Sequence, residues 1–428
     1  MIIKFFMPAF FIRSLVLASC LLALSGLPVL AADGFLKADG RVLRDERGHG
    51  KAVQLRGANI GGWLEWQVWM CPIDSSKTLK DANPGHNGYD FEVRRLLVKR
   101  FGPEVSEELI NAYLDAWITP RDLDNIKSLG LNAVRLPLSY ATMLKDDGTW
   151  RPDAFRRLDA FVKSAWSRGI YTILDYHAFL PPGAEQNGSA DGYWSNEAQK
   201  AETVRIWTCL AEHFKGNPGI AMYDLLNEPN NSYLKDHQGP SAATVCDLYD
   251  RFYRAIRAVD PDHVIAMEGV WDWHSLREPA KAGYQNVVYS FHWYNWNGKT
   301  TEDRRKAVDN DIQSIAKMQA AWNIPVYIGE FNLFGDKEAW KYALDQYNAQ
   351  GLNWTIWTYK NKASGSNSWG LCNTIHGKIP PIPNLATDSA DEIRQKWKAW
   401  STTPETFAIN PFLKSILMPP PNPASAGL

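Results

Sequence analysis

The chain has 428 residues, 45% of them hydrophobic, with 46 Lys and Arg set against 47 Asp and Glu. A net charge of −1 excludes the basic footprint of a nucleic-acid binder or of a protein drawn to anionic lipid. The length admits either two domains or one large barrel.

Residues 1–31 read as an export signal. Lys4 and Arg13 make the start positive, Ser14 to Leu30 is largely apolar, and Val29-Leu30-Ala31 has the small-residue spacing of a cleavage site. Cleavage is expected after Ala31 or Ala32. A lipoprotein signal at Leu17-Ala18-Ser19-Cys20 competes, but the apolar stretch runs on past Cys20. No later segment has the roughly 18 uninterrupted apolar residues of a membrane helix. The mature chain is therefore expected off the membrane, secreted or periplasmic.

Leu36–Asp45, turning at Asp39-Gly40, reads as a hairpin ahead of the first core strand, placed to plug the bottom of a barrel. Eight short apolar runs then read as parallel strands covered on both faces. They are Ala52–Asn59, Ala133–Ser139, Tyr171–His177, Ile220–Glu228, Val264–Gly269, Val287–Tyr294, Val326–Phe331 and Asn353–Tyr359. Helical stretches lie between them: Arg121–Ser128, Asp153–Arg168, Asn196–Phe214 and Thr244–Ala258, each stopped by a Gly or by Asp260-Pro261. Eight strand–helix units predict a single α/β domain, a (β/α)8 TIM barrel over residues 32–412. A doubly wound sheet is the alternative. Its phosphate loop would follow the first strand, where Gly57-Ala58-Asn59-Ile60-Gly61-Gly62 has no lysine and the wrong spacing. The loops after strands one, three and eight are long and are expected to shape a pocket. Residues 413–428 are proline-rich and expected to be disordered.

Without Cys20, four cysteines remain: Cys71, Cys209, Cys246 and Cys372. Their pairing is open. None sits in a CxxC, the histidines form no HExxH, and neither metal nor other cofactor is expected. Nineteen tryptophans exceed what a core needs. Aromatic rings stack on the apolar faces of sugars, so this density points to carbohydrate.

The strand ends carry the chemistry. Strand two ends with Arg135, strand three with His177, strand four with Asn227 and Glu228, strand six with His292 and Tyr294, strand seven with Glu330, strand eight with Trp357. Each has a structural explanation alone: a core ion pair for Arg135, a satisfied buried imidazole for His177, barrel filling for Trp357. Six strands ending this way is harder to explain as packing. Two glutamates at the C-terminal ends of parallel strands are the minimum for retaining glycoside hydrolysis. Glu268 ends strand five, as a third carboxylate able to perturb the pair or as a partner for Arg or His. Trp271 and Trp273 after strand five, Trp296 after strand six and Trp369 after strand eight are further candidates to touch sugar, against the alternative of packing on the rim.

The chain resembles glycoside hydrolase family 5. The resemblance rests on Arg56-Gly57-Ala58-Asn59-Ile60-Gly61-Gly62-Trp63-Leu64, Asn132-Ala133-Val134-Arg135-Leu136-Pro137, Leu174-Asp175-Tyr176-His177, Leu226-Asn227-Glu228-Pro229, Ser290-Phe291-His292-Trp293-Tyr294 and Ile328-Gly329-Glu330-Phe331. It covers residues 35–400. Gly-Gly-Trp-Leu and Gln186-Asn187-Gly188 are most similar to the exo-β-1,3-glucanase branch. Glu65-Trp66-Gln67 and Trp293 depart from that branch, so the resemblance does not settle linkage.

Chemistry and resemblance agree on the roles. Glu330 is expected to be the nucleophile, kept ionised by Arg135 and oriented by Tyr294. Glu228 is expected to be the acid/base, tuned by His292, with partial burial and the charge of Glu330 raising its pKa. Asn227 and His177 are expected to bond sugar hydroxyls and Trp357 to floor the subsite. The expected protein is an exported, monomeric β-glucan hydrolase. Transglycosylation with a sugar acceptor, and a barrel that binds sugar without catalysis, are the alternatives. Asn187-Gly188-Ser189 and Asn230-Asn231-Ser232 are glycan acceptor patterns beside the cleft. A glycan there would obstruct the site, which favours export in a bacterium.

Overall fold

The computed structural model describes residues 34–73, 89–178, 191–229, 240–269 and 272–418. The expected signal segment lies outside the described residues. So do the two acceptor patterns, Gln186-Asn187-Gly188, Trp271, and residues 419–428.

Eight strands close into one barrel in chain order: β4 (Arg56–Asn59), β5 (Ala133–Ser139), β6 (Tyr171–Ala178), β7 (Ile220–Asp224), β8 (Val264–Glu268), β9 (Val287–Tyr294), β10 (Val326–Asn332) and β11 (Asn353–Ile356). Every neighbouring pair is parallel, and β11 pairs back onto β4. Strands β5 to β8 are buried at every position, as strands with side chains inside and helices outside must be. This is the expected (β/α)8 barrel. Helices Pro120–Ser128, Ala154–Trp166, Glu197–Phe214 and Ala242–Val259 follow the predicted stretches within a few residues. Asn196 and Ser241 cap two of them, accepting from first-turn N–H groups.

Three strands are shorter than their apolar runs, each for a local reason. Ala52–Asn59 divides. Ala52–Val53 (β3) pairs with Val42–Arg44 (β2), while the N–H of Leu55 donates to Asn353 Oδ1 at 2.9 Å and starts the turn into the barrel. Strand β7 stops at Asp224. Beyond it the N–H of Leu225 goes to Ala266 on one side and that of Asn227 to Tyr176 on the other, both at 3.2 Å. The ladder therefore opens just before Glu228. Strand β11 stops at Ile356. The chain then forms a small sheet from β12 (Lys360–Ser364), β13 (Cys372–Thr374) and β14 (Phe407–Ile409).

Lys37–Asp39 (β1) and β2 form the N-terminal hairpin. Leu36 and Leu43 are buried in one cluster with Ala133, Ile173, Met222, Val264, Val288 and Tyr327, all from the early halves of barrel strands. The hairpin thus plugs the barrel bottom and leaves the C-terminal end free for chemistry. The expected tail boundary at 413 falls inside a helix, Pro411–Leu417, whose Leu413 is buried. The packed chain thus extends to Leu417, because Asn410 caps this helix at Phe412 N–H. Cys71, Cys209, Cys246 and Cys372 are free thiols.

Candidate active site

Arg135 is the centre of the barrel's upper end. It is fully buried, and its five N–H donors are divided among neighbours. Nε donates to Asp224 (2.8 Å), Nη1 to Asn59 (3.0 Å) and Glu330 Oε1 (2.9 Å), and Nη2 to Asn227 (3.0 Å). Nη2 also lies 3.0 Å from Asp175 Oδ1. Burial works against the charge, but Asp175, Asp224 and Glu330 outweigh it and hold Arg135 well above its ordinary range. The same burial pushes Asp175 and Asp224 up to about 7, with Arg135 pulling each down.

Glu330 is gripped at both oxygens: Arg135 holds Oε1, and the Tyr294 hydroxyl donates to Oε2 at 2.7 Å. Burial and the charge of Glu330 raise the Tyr294 pKa, so the phenol keeps its proton. Glu228 stands opposite. His292 Nδ1 is 2.8 Å from Glu228 Oε1 and 3.7 Å from Glu330 Oε2. The two carboxylates are therefore no further apart than the sum of those distances. Burial, helped by Arg135 and His177, lowers the His292 pKa to about 3 against the pull of Glu330. The imidazole is neutral and has a single N–H to place. Glu228 itself has left-handed backbone, φ 43°, and its N–H donates to Glu268 Oε2 at 2.7 Å. Glu228, Glu268 and His292 come within 4.8 Å of one another through one atom each. Within this group His292 Nδ1 pairs with Glu228 Oε1, and Glu268 is tied to it through the Glu228 backbone N–H.

The other expected residues divide into four groups. Asn227 joins the cluster through Arg135. His177 Nδ1 pairs with Asp175 at 2.8 Å, and its ring stacks on Trp357 at 5.1 Å and 15°. Trp296 and Trp369 meet at the rim and form a near-parallel group with Tyr294, the three ring centres 5.3–6.0 Å apart. Trp273 does not join them. It packs edge-on against Trp322 at 4.9 Å and stacks on His274, because helix Thr301–Trp322 offers an apolar seat beside it. No contact described for Trp273 is with a residue of the cluster.

Several contributors were missed from the sequence. Asp175 and Asp224 balance Arg135, and Asn59 orients it. Asp175 had a signal, two residues before His177 and so on the same strand face. Trp69 and Phe334 extend the aromatic rim, each edge-on to Trp369 at 5.5 and 5.7 Å, and Trp69 and Trp296 are 42% and 55% exposed. Glu65 is buried, and burial raises its pKa well above the ordinary range, helped by Asp90, Asp175 and Glu330. A narrow crevice elsewhere is lined by Leu64, Arg94, Glu107, Arg151 and Arg157 among others. Arg94 and Arg151 both pair with Glu107 there, and Arg157 with Asp115. We read it as an ion-paired seam.

Residues 98–363 match the family model described as Cellulase (glycosyl hydrolase family 5). A β-xylosidase of Phanerodontia chrysosporium is 28% identical over 76% of this chain and 71% of its own length. A protein of Aspergillus fumigatus described as probable glucan 1,3-beta-glucosidase A is 26% identical over 77% of this chain and 75% of its own. The crystal structure of rutinosidase from Aspergillus niger superposes with a TM-score of 0.56 at 19% identity, covering 72% of this chain and 90% of that one. The last likeness is one of fold.

Proposed function

The chain belongs to glycosyl hydrolase family 5, and we propose that it is an exported retaining β-glycosidase of β-glucans, with β-1,3 linkages favoured. The observation that carries this is the clamp on Glu330 facing Glu228 across one neutral imidazole. In the first step a Glu330 oxygen bonds to the anomeric carbon and the glycosidic C–O bond breaks. Glu228 gives its proton to the departing oxygen. In the second step water bonds to the anomeric carbon, loses a proton to Glu228 and frees the Glu330 carboxylate. The short bridge through His292 Nδ1 leaves little room for a water between the carboxylates. That favours the separation of about 5–5.5 Å used in retention over the wider gap of inversion. The Arg135 bond to Asn227 and the stack of His177 on Trp357 support Asn227 and His177 as partners of sugar hydroxyls and Trp357 as the floor of the subsite. The opening residues Lys4 to Ala31 support export.

A second reading has its own observation. Trp296, Trp369, Trp69 and Phe334 extend from Tyr294, whose hydroxyl touches Glu330. An aromatic rim continuous with the nucleophile suits a leaving-group sugar, and equally an acceptor sugar that intercepts the glycosyl-enzyme in place of water. The test is product analysis on laminari-, cello-, gentio- and xylo-oligosaccharides, with Glu330→Ala as the blank. Shorter products from laminari-oligosaccharides with retained configuration are expected. Products longer than the substrate establish the transglycosylase. Cleavage only of another linkage moves the substrate. Equality with the blank on every substrate leaves a sugar-binding barrel.

A further inference from the structure

Three carboxyl groups, Glu268 and Glu330 buried and Glu228 partly so, surround His292, but the double displacement needs only two. Glu268, at the end of β8, is the third. Its Oε2 accepts the N–H of Glu228 at 2.7 Å. Its Oε1 has no hydrogen-bond partner among the described residues and lies 3.3 Å from the His292 Nδ1 that serves Glu228. Its backbone is locked by Tyr249, whose hydroxyl donates to the Glu268 carbonyl and accepts its N–H, at 3.0 and 3.1 Å. The side chain is only 1% exposed. Glu228 sits in left-handed backbone, a conformation that an ordinary L-residue keeps only when its surroundings impose it. The Glu268 carboxyl holds that backbone at its N–H.

We propose that Glu268 is a positioning residue for the acid/base glutamate and works as an uncharged carboxylic acid. Oε2 accepts from the Glu228 backbone, so the proton belongs on Oε1, the oxygen facing His292. The charged and titratable groups around it are Glu228 and Asp224 from β7 and its exit, Arg135 from β5, His292 from β9 and Tyr249 from helix Ala242–Val259. Burial raises the Glu268 pKa well above the usual range, and the charges of Glu228 and Asp224 raise it further. Arg135 and the Glu228 N–H pull the other way. An ionised Glu268 would put a third anion beside the acid/base, make Glu228 hold its proton more tightly and compete for the single N–H of a neutral imidazole. A neutral Glu268 keeps the geometry without that cost.

The inference rests on the proposed glycosidase activity, and its test separates the two. Wild type, Glu268→Gln and Glu268→Ala would be compared on one sugar carrying a poor leaving group (an alkyl or sugar glycoside) and an activated one (a dinitrophenyl glycoside), across a pH series. Glutamine keeps the shape and lacks the charge. Glu268→Gln is expected to stay within about threefold of wild-type kcat/KM with an unmoved basic limb. Glu268→Ala frees the Glu228 backbone. It is expected to lose about 100-fold on the poor leaving group and little on the activated one, which needs no proton. A basic limb displaced by about one pH unit or more in Glu268→Gln overturns the uncharged state. Equal losses of Glu268→Ala on both leaving groups overturn the positioning role and leave a structural one. A wild type inactive on every glycoside overturns the function reading and this inference together. If Glu268→Ala does not fold, Glu268→Gln still decides the charge.

Discussion

At the scale of single residues, the site is governed by how many partners each buried group serves. Arg135 serves Asp224, Asn59, Glu330, Asn227 and Asp175 with one rigid planar fork. Lysine carries the same charge on a single point and reaches only part of that set. Arg135→Lys would leave buried carboxylates uncompensated, at a cost of about 3–5 kcal/mol. The expected outcome is a lowered urea midpoint together with loss of activity; a wild-type midpoint would show that the fork is not needed. Glu228 has a lighter structural load, since only its side chain leaves in Glu228→Ala and its N–H still reaches Glu268. That variant should fold normally and lose about 10²–10⁴ in kcat on an unactivated glycoside. The loss should shrink on a dinitrophenyl glycoside, and added azide should restore turnover with a β-glycosyl azide as product. An unchanged ratio between the two substrates would remove Glu228 from the acid role.

At the scale of elements, the hairpin and barrel divide stability from chemistry. Leu43 lies in the plug, 1% exposed, beneath strands whose far ends hold the site. Leu43→Ala should cost about 2–5 kcal/mol through lost burial and a cavity. KM and kcat at a temperature where it stays folded should match wild type; a large change in kcat would mean that the plug reaches the site. This division also explains what was legible in the sequence. Buried strands read clearly because Ala133–Ser139 or Tyr171–His177 is apolar on both faces, and a carboxylate closing such a run stands out. Strand ends were less legible. Leu225-Leu226 prolong the apolar run of β7, and the last N–H groups still reach Ala266 of β8 and Tyr176 of β6, so the end of the strand is set by the turn at Glu228 rather than by a change in the apolar pattern. The partners of Arg135 were hidden because Asp175 and Asp224 interrupt apolar runs singly and become a cluster only when the barrel closes. The aromatic rim was half legible. Trp296 and Trp369 were candidates by position, but Trp69 and Phe334 join them only through loops remote in sequence, and Trp273 found a helix instead.

For the whole molecule, burial of acids sets the response to pH. Asp90, in helix Tyr89–Trp117, has one oxygen without a hydrogen-bond partner among the described residues. Burial pushes it up to about 7, against hydrogen bonds from Ser139 and Trp66 and the charges of Arg94 and Arg151. An unfolded Asp titrates near 4. Between those values the folded chain holds a proton that the unfolded chain has lost, so raising the pH favours unfolding. The loss accumulates from about pH 4 to about pH 7 and then levels off. Asp175 and Asp224, also raised to about 7, act in the same sense. Asp260 acts in the opposite one. Burial disfavours its charge, but the hydrogen bond and charge of His263 outweigh this and lower its pKa. Its contribution is present above the unfolded value and is lost as the pH falls below it. Stability should therefore peak on the acid side of neutrality. Urea midpoints should be higher at pH 5 than at pH 8, reflecting a difference in unfolding free energy on the order of a few kcal/mol. Asp90→Asn keeps the shape and carries no proton to lose. It should raise the midpoint at pH 8, raise that at pH 5 by a smaller amount and so flatten the profile. A fall at pH 8 instead would mean that Asp90 is ionised in the folded chain and stabilises it through Arg94.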